Sequence, residues 1–277
     1  MQVKVSPVFS VFQKQHGEAK ELFLALGKQM KSKKSIELLG KLNFLELYLE
    51  LLTKIHFQEE NLPIDLFSGF IPLQKKLRKI HHLQLIINDL QKRKKDTGLN
   101  YGSYENYLEK QKKELYTSSY DMVLGSSIQA WDEFFEKTKE ASQSLKPLAV
   151  NTGINQLIQE ELESFHLNHH GEMDTARLKV VFKGLRTIIM LENVLLYLGF
   201  NPIYIAETHQ EIEDTKNSLK PWYSNHLAFQ SLSFFLGSKE VISKKYLEWI
   251  KDLNKEKKSL TLKVESQAIS LFDKILV

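Results

Sequence analysis

The chain has 277 residues, 42% hydrophobic and 26% charged, enough to bury one large core or two of ordinary size. It has no cysteine, which excludes disulfides and thiolate chemistry, and its 12 glycines and 6 prolines are too few for the many tight turns of an all-β fold. The net charge of +4 is mild, and only Arg78, Arg93, Arg177 and Arg186 among 38 basic residues are arginines, so bidentate readout of nucleic acid is not expected.

Ser6-Pro7 opens a first helix through Val11, Phe12, Ala19, Leu22, Phe23 and Leu26, since proline suits a first turn. Lys31 to Ser35 interrupts the apolar pattern, and a leucine-rich second helix runs from Ile36 to Ile55. Residues 61–65 form a loop, with Asp65 placed to cap a third helix over 66–94. That helix ends in Lys92-Arg-Lys-Lys95 and Gly98, ordinary stop signals. A fourth helix spans 101–125, and Ser126 or Ser127 caps a fifth that reaches Leu145. Lys146 to Gly153 combines a proline, a glycine and an Asn-Thr pair and marks a boundary between halves 1–147 and 148–277. Further helices are expected over 153–168, 173–199, 202–218, 222–236, 238–254 and 258–275, with Trp222, Tyr223, Phe229, Phe234, Phe235 and Trp249 as core aromatics. The fold class is therefore all-α, built as two helical bundles. No segment reaches the roughly 20 apolar residues that a membrane span needs, and residues 1–10 lack the apolar run of a signal peptide. A cytoplasmic protein without a membrane partner is expected.

The most telling segment runs from Asp174 to Glu192. Lys179, Lys183 and Arg186 are spaced four and then three residues apart, which stacks them in one row on a helix. Leu178, Phe182, Leu185 and Ile189 repeat the step on the adjacent row, so the cations sit beside apolar surface. Cations drawn toward a core need partners. Either internal carboxylates such as Glu192, Glu211 or Asp214 supply them, or an anionic ligand does. Lys75, Lys79 and His82 echo the same spacing in the first half, a hint that the halves are pseudo-symmetric. His81 is expected to pack and His82 to face outward.

This segment resembles the CHAD domain, an all-α family named for its conserved histidines. Lys179, Lys183, Leu185-Arg186 and Leu191-Glu192 fall on the steps of the family's signature helix, while Ala176 stands at its histidine position and Gly184 at a second basic one. Glu207 to Asp214 is similar to the pattern that follows. In the first half the resemblance rests on Lys33 and Lys41, then on Lys75, Lys76, Arg78 and Lys79. It implies two four-helix bundles about a pseudo-twofold axis, with a basic groove that binds inorganic polyphosphate and carries no catalytic machinery or cofactor. The groove would be lined by Lys33, Lys75, Arg78, Lys79, His82, Lys179, Lys183, Arg186 and His209. The rival expectation is a degenerate member that has lost this ligand and binds a protein partner instead.

His166 with His169 or with His170 lies on one helical face and could ligate a metal with Glu172 or Asp174, although a solvated helix end before Gly171 is the simpler account. No serine or threonine has the glycine context of a nucleophile elbow, and no glycine-rich phosphate loop is present. An enzyme is not expected.

Overall fold

The computed structural model describes residues 7–56, 64–143, 145–167 and 173–275. All regular structure among them is helical: α1 (Pro7–Lys28), α2 (Ser32–Ile55), a 3-10 segment (Ile64–Phe70), α3 (Ile71–Thr97), α4 (Gly102–Gly125), α5 (Ile128–Ser142), α6 (Pro147–Leu167), α7 (Thr175–Tyr197), α8 (Ala206–Gly237) and α9 (Lys244–Ile275).

Helices α1 to α4 pack in a ring, each on the next and α4 back on α1, with α5 laid against α1 and the 3-10 segment. Helices α6 to α9 close a second ring in the same way. The rings join where α2 meets α6 and α3 meets α8. One large core runs through the junction without a break, from Phe12, Leu42 and Leu77 through Val150, Ile154 and Leu185 to Trp222 and Phe272. A smaller core lies where the α3–α4 and α8–α9 tips meet, around Tyr101, Tyr104, Phe235, Tyr246 and Trp249.

Several boundaries differ from the sequence reading. The third helix is a 3-10 segment followed by α3, with Phe70 at the N-cap position of α3, and the Asp65 side chain lies outside the described residues. Helix α6 starts at Pro147, so Gly153 lies inside it and the break between halves is shorter than expected. Lys220-Pro221 does not divide α8. Pro221 removes one backbone hydrogen bond, but Leu219 and Trp222 on either side are fully buried, and that burial outweighs the local preference. Likewise α9 runs unbroken through Asn254 to Lys258, because Leu253 and Val264 continue one buried stripe. Ser127 does cap α5, its Oγ accepting from the Gln129 N–H at 3.1 Å. Phe234 is 74% exposed and no part of the core.

Candidate functional site: a basic groove between α3, α7 and α8

Helix α7 is fixed at both ends. Asp174 caps it, its Oδ1 accepting from the Arg177 N–H at 2.8 Å. At the other end Gly199 has a φ of 79°, and the Phe200 N–H reaches the Leu195 carbonyl at 3.0 Å while the Gly199 N–H reaches Leu196 at 3.1 Å. This is a Schellman stop, which glycine permits without strain. Between the caps, Leu178, Val181, Leu185, Ile188 and Leu195 are buried. That leaves Lys179, Lys183 and Arg186 exposed on the face beside them.

Gly184 lies where α6 and α7 are in close contact. A Cβ at this position would lie 2.5 Å from both Cε1 and Cζ of Phe165 and 2.8 Å from Glu161 Oε2. Helix α6 packs so closely on α7 that no side chain fits, least of all a basic one.

The cations of α7 meet those of α3. Arg78, His81 and His82 lie on α3 opposite Arg186 and Lys179, and Tyr223 of α8 completes the wall. His82 Nε2 and Tyr223 Oη are hydrogen-bonded at 2.8 Å, and Phe182 packs against the Tyr223 ring with centroids 5.5 Å apart. Arg186 sits over the Phe182 ring at 5.8 Å. The histidines are both half-buried, so His82 does not simply face outward. Desolvation lowers the pKa of His82 to about 4, and His81, Arg78 and Lys179 push it the same way. His81 is lowered by desolvation and then by Arg186. Although its side chain reaches the surface, the Arg186 guanidinium is desolvated, and this, with Arg78 beside it, lowers its pKa.

Among the described residues, none of Arg78, Lys179, Lys183 and Arg186 forms an ion pair within 4.0 Å. The three carboxylates that the sequence offered as partners of the α7 row are engaged elsewhere. Glu192 is fully buried; its Oε1 accepts from the Tyr204 N–H at 3.0 Å and its Oε2 from His209 Nδ1. Glu211 pairs with Lys274, and Asp214 accepts from Gln210. Carboxylates do flank one side of the groove. Glu46 accepts from Gln74 Nε2 at 2.7 Å, one turn before Arg78 on α3. Burial raises the pKa of Glu50 and Glu161, while the charge of Lys183 pulls both down.

The expected set is therefore brought together only in part. Arg78, His82, Lys179 and Arg186 converge, while Lys183, in the same α7 row, lies beside Glu50 and Glu161. Lys75 and Lys79 stay exposed on α3 without an ion pair among the described residues. Lys33 lies on the first turn of α2, roughly 20 Å along that helix from Glu46. His209 is turned to Glu192 and ties α8 to α7 instead of facing the groove. Sequence reasoning missed Tyr223 and His226 of α8. The signal that could have found them is their i, i+3 spacing, which sets both on one face of α8. The metal candidate falls outside what can be described: His169, His170 and Glu172 are not among the described residues, nor is the His166 side chain. No cluster of metal-ligating side chains occurs among the described residues, and no helix there is long and apolar enough to cross a membrane.

Compared with known proteins, the chain matches no family model, no curated protein and no solved structure.

Proposed function

We propose that this chain is a non-enzymatic binding module for a phosphoryl-rich polyanion, with inorganic polyphosphate as the leading ligand. One observation carries the reading. Arg78 from the first half faces Lys179 and Arg186 from the second, Lys183 continues the α7 row, and none of the four has a carboxylate partner within 4.0 Å among the described residues. Like charges held together in this way repel one another, and a row of phosphoryl oxygens would relieve that repulsion through charge-assisted hydrogen bonds and counterion release. The resemblance of α7 to the CHAD signature points to the same ligand class. The His82–Tyr223 bond would hold the α3 and α8 walls at fixed spacing.

The test is equilibrium binding of long-chain polyphosphate at several salt concentrations. The wild type should bind with an affinity that falls steeply with salt. Alanine at Lys179, Lys183 and Arg186 together should weaken binding by at least roughly a hundredfold with helicity unchanged. Unchanged binding in the triple variant would refute the groove.

A second reading, a scaffold for a protein partner, is favoured by the carboxylates beside Lys183 and by the exposed Leu196, Tyr197 and Ile205 at the α7–α8 turn. It predicts no polyphosphate binding near physiological salt.

A further inference from the structure

His226 lies on α8 one turn beyond Tyr223, and only 3% of its surface is exposed. Its ring stacks on Trp222, with centroids 5.6 Å apart and planes 3° from parallel. Neither ring nitrogen has a hydrogen-bond partner among the described residues, and nor does Oδ1 of the adjacent Asn225. A neutral imidazole always carries one N–H, and leaving such a donor buried and unpaired costs about 1–3 kcal/mol. The same turn of α8 is overlooked by two lysines. Lys179 of α7 and Lys257 of α9 both act on His226, which desolvation and these two charges hold at a pKa of about 4. Glu256, a carboxylate beside this turn, already accepts from Asn225 Nδ2 at 3.1 Å. On the α3 side, His82 shares Lys179 with His226 and bonds to Tyr223, and the half-buried Asp89 acts on Glu256.

We infer that His226, Lys179 and Lys257 form an oxyanion subsite at the junction of α7, α8 and α9 that takes a single phosphoryl group. The two ammonium groups supply charge, and the imidazole supplies the unpaired N–H that an anionic oxygen accepts. The Lys257 ammonium lies 5.6 Å from the centroid of the Phe229 ring, one turn beyond His226 on α8, and its flexible four-carbon stem can turn toward a bound anion. The subsite shares Lys179 with the groove proposed above and, where both are filled by one chain, rests on that reading. It extends the cation path from the α3–α7 contact toward α9.

The experiment titrates the full chain between pH 7 and about pH 5, with and without inorganic orthophosphate, and follows the ring nitrogens of His226 by ¹H–¹⁵N NMR. A bound anion should raise the apparent pKa of His226 by about one to two units and shift both nitrogens toward the imidazolium pattern. Lys257→Met, a change at a partly exposed side chain, should weaken phosphate binding about tenfold; His226→Phe, which keeps the stack on Trp222, should abolish it. The His226 response should persist in Lys183→Ala/Arg186→Ala, which disables the groove and spares the subsite. If polyphosphate binds but His226 stays silent and Lys257→Met binds normally, the subsite falls and the groove stands. If His226 responds to orthophosphate while long polyphosphate does not bind, the groove falls and the subsite stands. Silence of His226 with no polyphosphate binding removes both.

Discussion

Gly184→Ala is the sharpest test of how α6 and α7 are packed. In a solvent-facing helix this change would stabilise by about 1 kcal/mol, because alanine is the better helix former. Here the added methyl would sit 2.5 Å from two ring carbons of Phe165, at least about 1 Å inside ordinary carbon contact. The ring cannot yield easily, since Phe165 is 1% exposed and stacks on Phe272 with centroids 5.0 Å apart. Overpacking of this kind costs about 1–3 kcal/mol, and an enclosed ring places the cost at the upper end. The net expectation is a loss of about 1–2 kcal/mol, or a fall in Tm of about 2–4 °C for a chain of this size. Thermal unfolding followed by circular dichroism reads this directly. Phe165→Leu removes the obstructing ring edge, so the double variant should be no less stable than Phe165→Leu alone, a coupling of about 1–2 kcal/mol. A Tm for Gly184→Ala equal to or above wild type, or strictly additive effects in the pair, would refute the reasoning.

Three further outcomes follow from the site. His209→Ala strands the fully buried Glu192 with only the Tyr204 N–H, and should cost about 3 kcal/mol by urea unfolding at pH 7. Arg186→Met removes a desolvated cation beside Arg78 while keeping most of the stem, so it should hold or raise the Tm while weakening polyphosphate binding, the opposite of what a structural ion pair would give. Because the folded pKa of His82 lies near 4, below its ordinary 6.5, the unfolded chain takes up a proton that the folded one refuses, and stability is lost as pH falls from 6.5 toward 4. Asp89, raised by burial to about 6, acts in the opposite sense, so the difference between wild type and His82→Asn is the informative quantity: the variant should gain on wild type across that window in urea midpoints.

Local signals in the sequence carried much of this architecture. Asp174, Ser127 and Gly98 mark helix ends through backbone chemistry that depends on a few neighbouring residues, and all three act as their types suggest. The row on α7 follows from spacing alone. What could not be read depends on contacts distant in sequence. Pro221 and the polar run 254–258 look like breaks until α8 and α9 are seen to bury Trp222 and Val264 against neighbouring helices. Gly184 looks like a lost binding residue until Phe165 is found in the space a side chain would fill. The polar partners of the row were equally hidden, because pairing depends on which helices touch. Glu192, the nearest candidate in sequence, is committed to His209, while Glu161 on α6 lies against Gly184.

The continuous core has a thermodynamic consequence. Leu51 of α2 and Ile154 and Ile158 of α6 belong to one apolar mass, so separating the halves would strip a large buried surface from each. Neither segment should hold its shape when expressed alone, and denaturation should proceed as one transition rather than two. The groove inherits this property. Arg78 and His82 come from the first half and Lys179, Lys183 and Arg186 from the second, so the walls exist only while the halves are docked. A ligand spanning them would act as a clasp, drawing its affinity and the cooperativity of the fold from the same set of contacts.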